Sequence, residues 1–290
     1  MAETNNKTPE RWNPTNLVEK SVNSLVEGGR LTLPADYSAG NALKSAWLML
    51  QNVMTPDKRR ALDVCTRESV TNALMDMVVQ ALNPAKKQLY FIPYGKELTC
   101  QRSYFGDMAL AQRVQPGIEI YTGVVWNGDE FEMEMLRGRV IVARHRTSLA
   151  NQGGKIVGAY CGVTAPTGED LGAEVMTWEQ IQKSWSKSKT YRSEGGNTPH
   201  HEFPDQMALR TVVRRRLKAI INSSNDSMLV EAVRRQERAS TEAETDDIIE
   251  VEANSGPALE LPEEGETEQE QAEEAAREPV AASAEEDPYA

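Results

Sequence analysis

The sequence predicts an α+β fold: a small antiparallel or mixed β-sheet packed with helices, a helical N-terminal region, and a disordered acidic C-terminal tail. Three observations predict it. Apolar residues recur with a period near four up to about residue 82, then with a period near two from residue 90 to 163, the side-chain repeats of helix and strand. The helical period returns after residue 172. Charge also divides along the chain: of the net −12, residues 241–290 carry 18 acidic residues against Arg277 alone, while the first 240 hold 31 basic and 26 acidic residues. A mildly basic body precedes a strongly acidic tail.

The opening "MAETNNKTPERWNPTN" has little to pack, so residues 1–14 are read as a flexible terminus in which Trp12 alone is able to dock. From Thr15, "TNLVEKSVNSLVEGG" puts Leu17, Val18, Val22, Leu25 and Val26 on one side of a helix that Gly28 and Gly29 stop. "NALKSAWLMLQNVM" and "TRESVTNALMDMVVQAL" repeat the helical pattern, the second ending at Asn83-Pro84. Strands are expected at Tyr90 to Tyr94, Glu97 to Arg102, Glu119 to Trp126, Glu130 to Met135, Arg139 to Ala143 and Lys155 to Val163. The turns between them are "YGK", "WNGD", "RG" and "NQGGK". One helix interrupts the run at "FGDMALAQRV" and closes at Pro116-Gly117. "TWEQIQKSWSKSKTY" is helical, "RSEGGNTPHHEF" is a polar break, and helices follow at 204–222 and 226–239. Residues 15–240 thus form the expected core, and residues 241–290 are too polar to offset the entropy of ordering.

Composition excludes several classes. No apolar leader, no run of eighteen apolar residues and no lipidation signal is present, so a cytoplasmic protein without a membrane partner is expected. Cys65, Cys100 and Cys161 are far apart and match neither a disulfide framework nor a metal pair; they read as buried thiols. The glycines of "NQGGK" and "EGGNT" are followed by no G-K-[ST], so no ATP site and no cofactor are expected. Neither His145 nor the pair His200-His201 has metal-ligand spacing.

Two segments suggest a polyanion partner. In "MALRTVVRRRLKAII", Leu209, Val213, Leu217 and Ile220 share one side of a helix. Arg210, Arg214 and Lys218, extended by Arg215, form a stripe beside them. Cations stacked at four-residue spacing repel one another, so something negative is expected opposite: phosphates, or carboxylates elsewhere in the fold. In "QLYFIPYGKELTCQRSYFG", Tyr90, Phe91, Tyr94, Tyr104 and Phe105 lie near Lys86, Lys87, Lys96, Gln101 and Arg102. Aromatics among cations make a stacking platform for single-stranded nucleic acid, and equally a hairpin with some rings in a core; both uses are expected here.

"ALNPAKKQLYFIPYGKELTCQRSYFGDMALAQRV" resembles the signature segment of the RecT family of phage and prophage recombination proteins, functionally related to Redβ. The resemblance continues through "GVVWNGDEFEMEM", "KIVGAYCGVTAPTG", "VMTWEQIQKSWSKSKT" and "HHEFPDQMALRTVVRRRLKAII", about residues 40 to 225. Two features depart from the family pattern: His200 and His201 stand where a Trp is frequent, and "AIINSS" lacks the usual proline. The resemblance implies ATP-independent binding of single-stranded DNA and annealing of complementary strands by an oligomer, a ring or helical filament, that also holds the annealed duplex intermediate. It implies DNA contacts from Lys86, Lys87, Gln101, Arg102 and Tyr104, from Arg210, Arg214, Arg215 and Lys218, and from Lys187, Lys189 and Arg192 in "SKSKTYR". It also implies a 5′-to-3′ exonuclease and the host single-strand-binding protein as partners, with "TDDIIEVE" and "EEDPYA" of the tail as the segments to meet them.

Two other readings fit parts of the sequence. Glu130, Glu132 and Glu134 display three carboxylates on one strand, as a metal-dependent nuclease could use. Strict alternation is equally what a half-buried antiparallel strand shows. A protein-interaction scaffold with a basic face is the other. The protein is expected to bind nucleic acid and not to be an enzyme.

Overall fold

The computed structural model describes residues 12–186 and 198–243. Lys187, Lys189 and Arg192, and both apolar-acidic segments of the tail, lie outside the described residues.

Four helices come first: α1 (Thr15–Glu27), α2 (Ala39–Leu50), the single turn α3 (Ala61–Val64) and α4 (Arg67–Val79). Ser38 and Thr66 cap α2 and α4, their hydroxyls accepting from the N–H groups of Asn41 and Ser69. Trp12 docks against Trp47 edge to face, with the Arg67 guanidinium over its ring. The stripe expected on α1 is narrower than its apolar content: Val18 and Val22 are buried, whereas Leu17 and Val26 face outward.

Seven strands follow among the described residues, in three separate antiparallel sheets. Strands β1 (Leu89–Tyr94) and β2 (Glu97–Arg102) form one hairpin. Beyond α5 (Tyr104–Val114), β3 (Glu119–Trp126) joins β6 (Ile156–Thr164) and β7 (Asp170–Thr177). Strands β4 (Glu130–Leu136) and β5 (Arg139–Arg146) form a second hairpin. At its tip the "RG" turn has Arg137 and Gly138 both at positive φ, the backbone that a two-residue hairpin of right-handed twist requires. The chain ends in α6 (Trp178–Trp185), the short α7 (Pro199–Glu202), α8 (Pro204–Asn222) and α9 (Ser227–Ala243). Strand β7 was not expected, nor were α3 and α7; the remaining elements stand where the periodicity put them.

Two apolar cores result. The first joins α1, α2 and α4 to one face of the β1–β2 hairpin through Leu43, Leu50, Leu74, Met77, Leu89, Phe91 and Cys100. The second surrounds α8, with Leu110, Cys161, Val163, Ile181, Met207, Val213 and Leu217. Cys65, Cys100 and Cys161 are buried free thiols. Helix α5 lies between the cores. At its start, Ser103 accepts from the Gly106 N–H and donates to the Lys87 carbonyl. A Cβ on Gly106 would stand 2.1 Å from the Gln88 carbonyl oxygen, so only glycine permits the approach. At its end, Arg113 donates to the carbonyls of Val79 and Thr32 and faces Asp226 at 3.7 Å.

Candidate nucleic-acid interface

Helix α8 has the expected boundaries but a different environment. It is buried along two sides, since Met207, Ala208 and Val212 are enclosed as fully as Val213 and Leu217. Its cations therefore leave by both flanks. Arg214 and Lys218, one turn apart, turn toward β2 and α9; Arg215 and Arg216, about one and two hundred degrees further round from Arg214, turn toward β7. Arg215 holds Glu174 at 2.7 Å, and Arg216 donates to the carbonyls of Leu171 and Gly172. The single stripe expected for Arg210, Arg214, Arg215 and Lys218 is thus divided.

Arg210 lies inside the protein, beside His200. His200 packs edge to face on Trp185 with centroids 4.7 Å apart, and burial, followed by the charge of Arg210, lowers its pKa to about 4. The imidazole is neutral at physiological pH.

Arg102 is also buried. It ends β2 on the face shared with Leu89 and Cys100, and its guanidinium donates to Gln80 Oε1 and Asp107 Oδ1, both at 2.7 Å. Asp107 is in the first turn of α5, where a carboxylate is favoured by the helix dipole. Arg214 completes the group: it donates to the Arg102 carbonyl at 2.8 Å and approaches Asp107 Oδ2 at 3.5 Å. Two residues 112 apart in sequence, both singled out from the sequence, are in direct contact.

A cleft of about 280 Å³ opens on this group, lined by Gln101, Arg102, Asp107, Arg214, Lys218, Asn222, Gln236 and Glu237. Lys218 reaches Glu237 of α9 at 3.0 Å across it, and both side chains are well exposed. A larger cleft of about 860 Å³ lies on the other side of Gln80; Lys86, Gln88, Asn41 and Arg113 line it. Gln80 borders the second cleft while its hydrogen-bond partner Arg102 borders the first.

The aromatics divide between core and surface, with Phe105 outside the core in which it was expected beside Phe91. Tyr90 and Phe91 are buried, Phe105 is exposed, and its ring lies 4.1 Å from that of Tyr104 at the start of α5. Lys87, in the left-handed conformation at the end of a 3-10 turn, is tied to this helix start through Ser103. The structure thus gathers Gln101, Arg102, Arg214 and Lys218 at one cleft and places Lys86, Lys87 and Tyr104 around the base of the same hairpin. Gln80, Asp107, Gln236 and Glu237 were missed; Asp107, at the start of a predicted helix and five residues after Arg102, was the only one with a local signal.

Glu130 is ion-paired to Arg144 at 2.7 Å, and no group of three or more potential metal ligands is found among the described residues. No described helix is long and apolar enough to cross a membrane.

The fold is α+β, and its basic helix and the end of its first hairpin share one polar cleft. The model of the RecT family matches residues 40–251, and the chain belongs to that family. No curated protein matches it.

Proposed function

We propose that this chain binds single-stranded DNA and anneals complementary strands without ATP, as an oligomer, in phage-type homologous recombination in the cytoplasm. The supporting observation is the meeting of Arg214 and Lys218 with the end of the hairpin at one cleft, in a member of the RecT family.

The chemistry follows from charge. Complementary strands repel through their phosphates, and cations that neutralise the backbone remove that repulsion while releasing counterions. Bases whose edges stay exposed can then test pairing, so the protein supplies alignment and the bases supply specificity. Arg214, Lys218, Arg215, Lys86 and Lys87 would meet phosphates, and Tyr104 with Phe105 would offer rings for stacking. Gln101, Arg102 and Arg210 are too enclosed to reach a backbone unaided; the Arg102 carbonyl holds Arg214 in place instead. Lys187, Lys189 and Arg192 would extend the contact, and the 5′-to-3′ exonuclease and host single-strand-binding protein would meet the acidic tail.

Phosphate must replace carboxylate at the cleft. Lys218 exchanges Glu237 for DNA, and Arg214 exchanges part of its contact with Asp107. Changing Arg214 and Lys218 together to Ala is expected to weaken binding and to reduce the slope of log K against log salt by roughly 0.7 per lost phosphate contact. An unchanged slope, measured by fluorescence anisotropy, removes this helix from the DNA site. Conversely, Glu237→Gln releases Lys218 and is expected to tighten binding roughly two- to threefold, the worth of a surface ion pair of about 0.5 kcal/mol. An annealing assay on complementary oligonucleotides, with no nucleotide added, tests the activity itself.

A further inference from the structure

The cations that line the first cleft are nearly cancelled where they stand. Arg102 and Arg214 share Asp107, and Lys218 meets Glu237, so three cations face two carboxylates within its walls. Arg215, on the other flank of α8, is held by Glu174. The chain as a whole carries a formal net charge of −12. A polyanion therefore meets little attraction from the cleft itself and repulsion from the rest, unless uncompensated cations stand at the mouth, which the exposed pair Lys218 and Glu237 marks.

Helix α9 supplies them. Gln236, Val233 and Glu237 form its part of the cleft wall. At about 100° per residue, Arg234 lies roughly 60° and Arg238 roughly 100° beyond Glu237, turned away from the buried Leu229, Ala232, Val233 and Gln236. Both arginines are exposed, and neither has an ion pair or hydrogen bond among the described residues. On the side of α9 that faces α4, by contrast, Arg235 is already bound between Asp76 and Glu231.

Arg234 and Arg238 are one turn apart, about 6 Å along the axis. Like charges stacked at that spacing disfavour a helix, so the pair calls for a negative partner from outside. At physiological ionic strength the field of a surface charge fades over about 8 Å. Only cations at the entrance, and not basic residues elsewhere on the body, then offset the acidity of the chain for a strand that approaches this cleft.

We infer that Arg234 and Arg238 capture an incoming strand at the mouth of the cleft and pass it to Arg214 and Lys218. The inference rests on the DNA-binding reading above and divides its site into two parts. Exposed charges at a rim act on the encounter: they raise the association rate and its dependence on salt. Charges enclosed with their partner act on how long the complex lasts. Asp107 and Glu237 keep the inner cations occupied until phosphate is close enough to displace them.

Stopped-flow binding of a fluorescent oligothymidylate to the full chain separates the two parts. Arg234→Gln/Arg238→Gln is expected to lower the association rate constant about three- to tenfold at low salt, to flatten its decline with added salt, and to leave the dissociation rate constant unchanged. Arg234→Lys/Arg238→Lys keeps the charge without the guanidinium fork and is expected to associate at the wild-type rate. Lys218→Gln, inside the cleft, is expected to raise the dissociation rate constant instead. The inference is overturned if the Gln variant loses its binding through faster dissociation, which would make the two arginines ordinary phosphate contacts. It is equally overturned if the Lys variant is as slow as the Gln variant, since charge would then not be what acts. A wild-type chain that does not bind the oligonucleotide defeats the DNA-binding reading and this inference together, whereas a Gln variant that associates at the full wild-type rate defeats this inference alone.

Discussion

The two hairpins of this protein have the same topology and opposite surroundings. Strands β1 and β2 are mostly buried, with one face in the first core and a charged group, Arg102, enclosed at the end of β2. Strands β4 and β5 are exposed or half-buried along their whole length. One is covered by α4 and α9, and the other runs beside β7 along β5. The difference lies in what each hairpin ties down. The first organises the cleft, since its last residue holds Asp107 and receives Arg214. The second is anchored at its root, where His145 contacts Tyr160 at 3.0 Å and Asp129 at 3.2 Å, with Phe131 stacked on Tyr160.

The largest expected effect comes from the buried hairpin. Arg102→Ala leaves Asp107 enclosed without its principal cation and is expected to cost roughly 3–5 kcal/mol in denaturant unfolding, as breaking a buried pair does. A loss below about 1 kcal/mol would mean that Arg102 is not the linchpin of the cleft. Gly106→Ala comes next. The added methyl meets the Gln88 carbonyl and must push α5 off the hairpin, for roughly 1–3 kcal/mol. The same change at Gly138, where nothing lies within 4 Å, meets only the cost of a positive φ.

Acid distinguishes the second hairpin. Burial alone would raise the pKa of Asp129, but hydrogen bonds from Asn151, the Trp126 N–H, Thr147 and His145 outweigh it and hold the carboxyl at about 2. A carboxyl lowered on folding stabilises the protein above its ordinary value of 3.8 and loses that contribution as pH falls through 2. Asp129→Asn is therefore expected to flatten the acid-induced loss of stability between about pH 4 and pH 2. An unaltered acid limb would show that these hydrogen bonds persist in the unfolded chain or were never formed. The smallest effect is at the surface: removing the exposed Glu130–Arg144 pair by Glu130→Ala is expected to change stability by about 0–1 kcal/mol. A larger loss would mean that the second hairpin depends on its ion pair for its shape.

Much of this arrangement is written in local pattern. The strand ends at Tyr94, Arg102 and Trp126, and the span of α8, follow from periodicity and from turn glycines that take positive φ. Strand β7 was missed because "DLGAEVMT" is rich in helix formers and its pairing with β6 is a tertiary decision. The exposure of β4 was missed because "EFEMEML" alternates as a half-buried strand does, and nothing local says whether a core waits opposite. The cations of α8 were identified, but which of them reach solvent depends on the depth to which the helix is packed, and that is decided by β6, β7 and α5. Likewise the carboxylates that face them, Asp107, Glu174 and Glu237, belong to three other elements. Long-range pairing of this kind leaves little trace in the neighbourhood of the residues it joins.

Helix α5 behaves as a strut. Its first turn is pressed onto the hairpin at Gly106 and Gln88, and its last is bolted by Arg113 to the carbonyls of Val79 and Thr32. Force applied to the hairpin would therefore be delivered some 15 Å away, about the length of an eleven-residue helix, to the ends of α4 and α9. Both halves of the molecule would then tilt as one body rather than flex against each other.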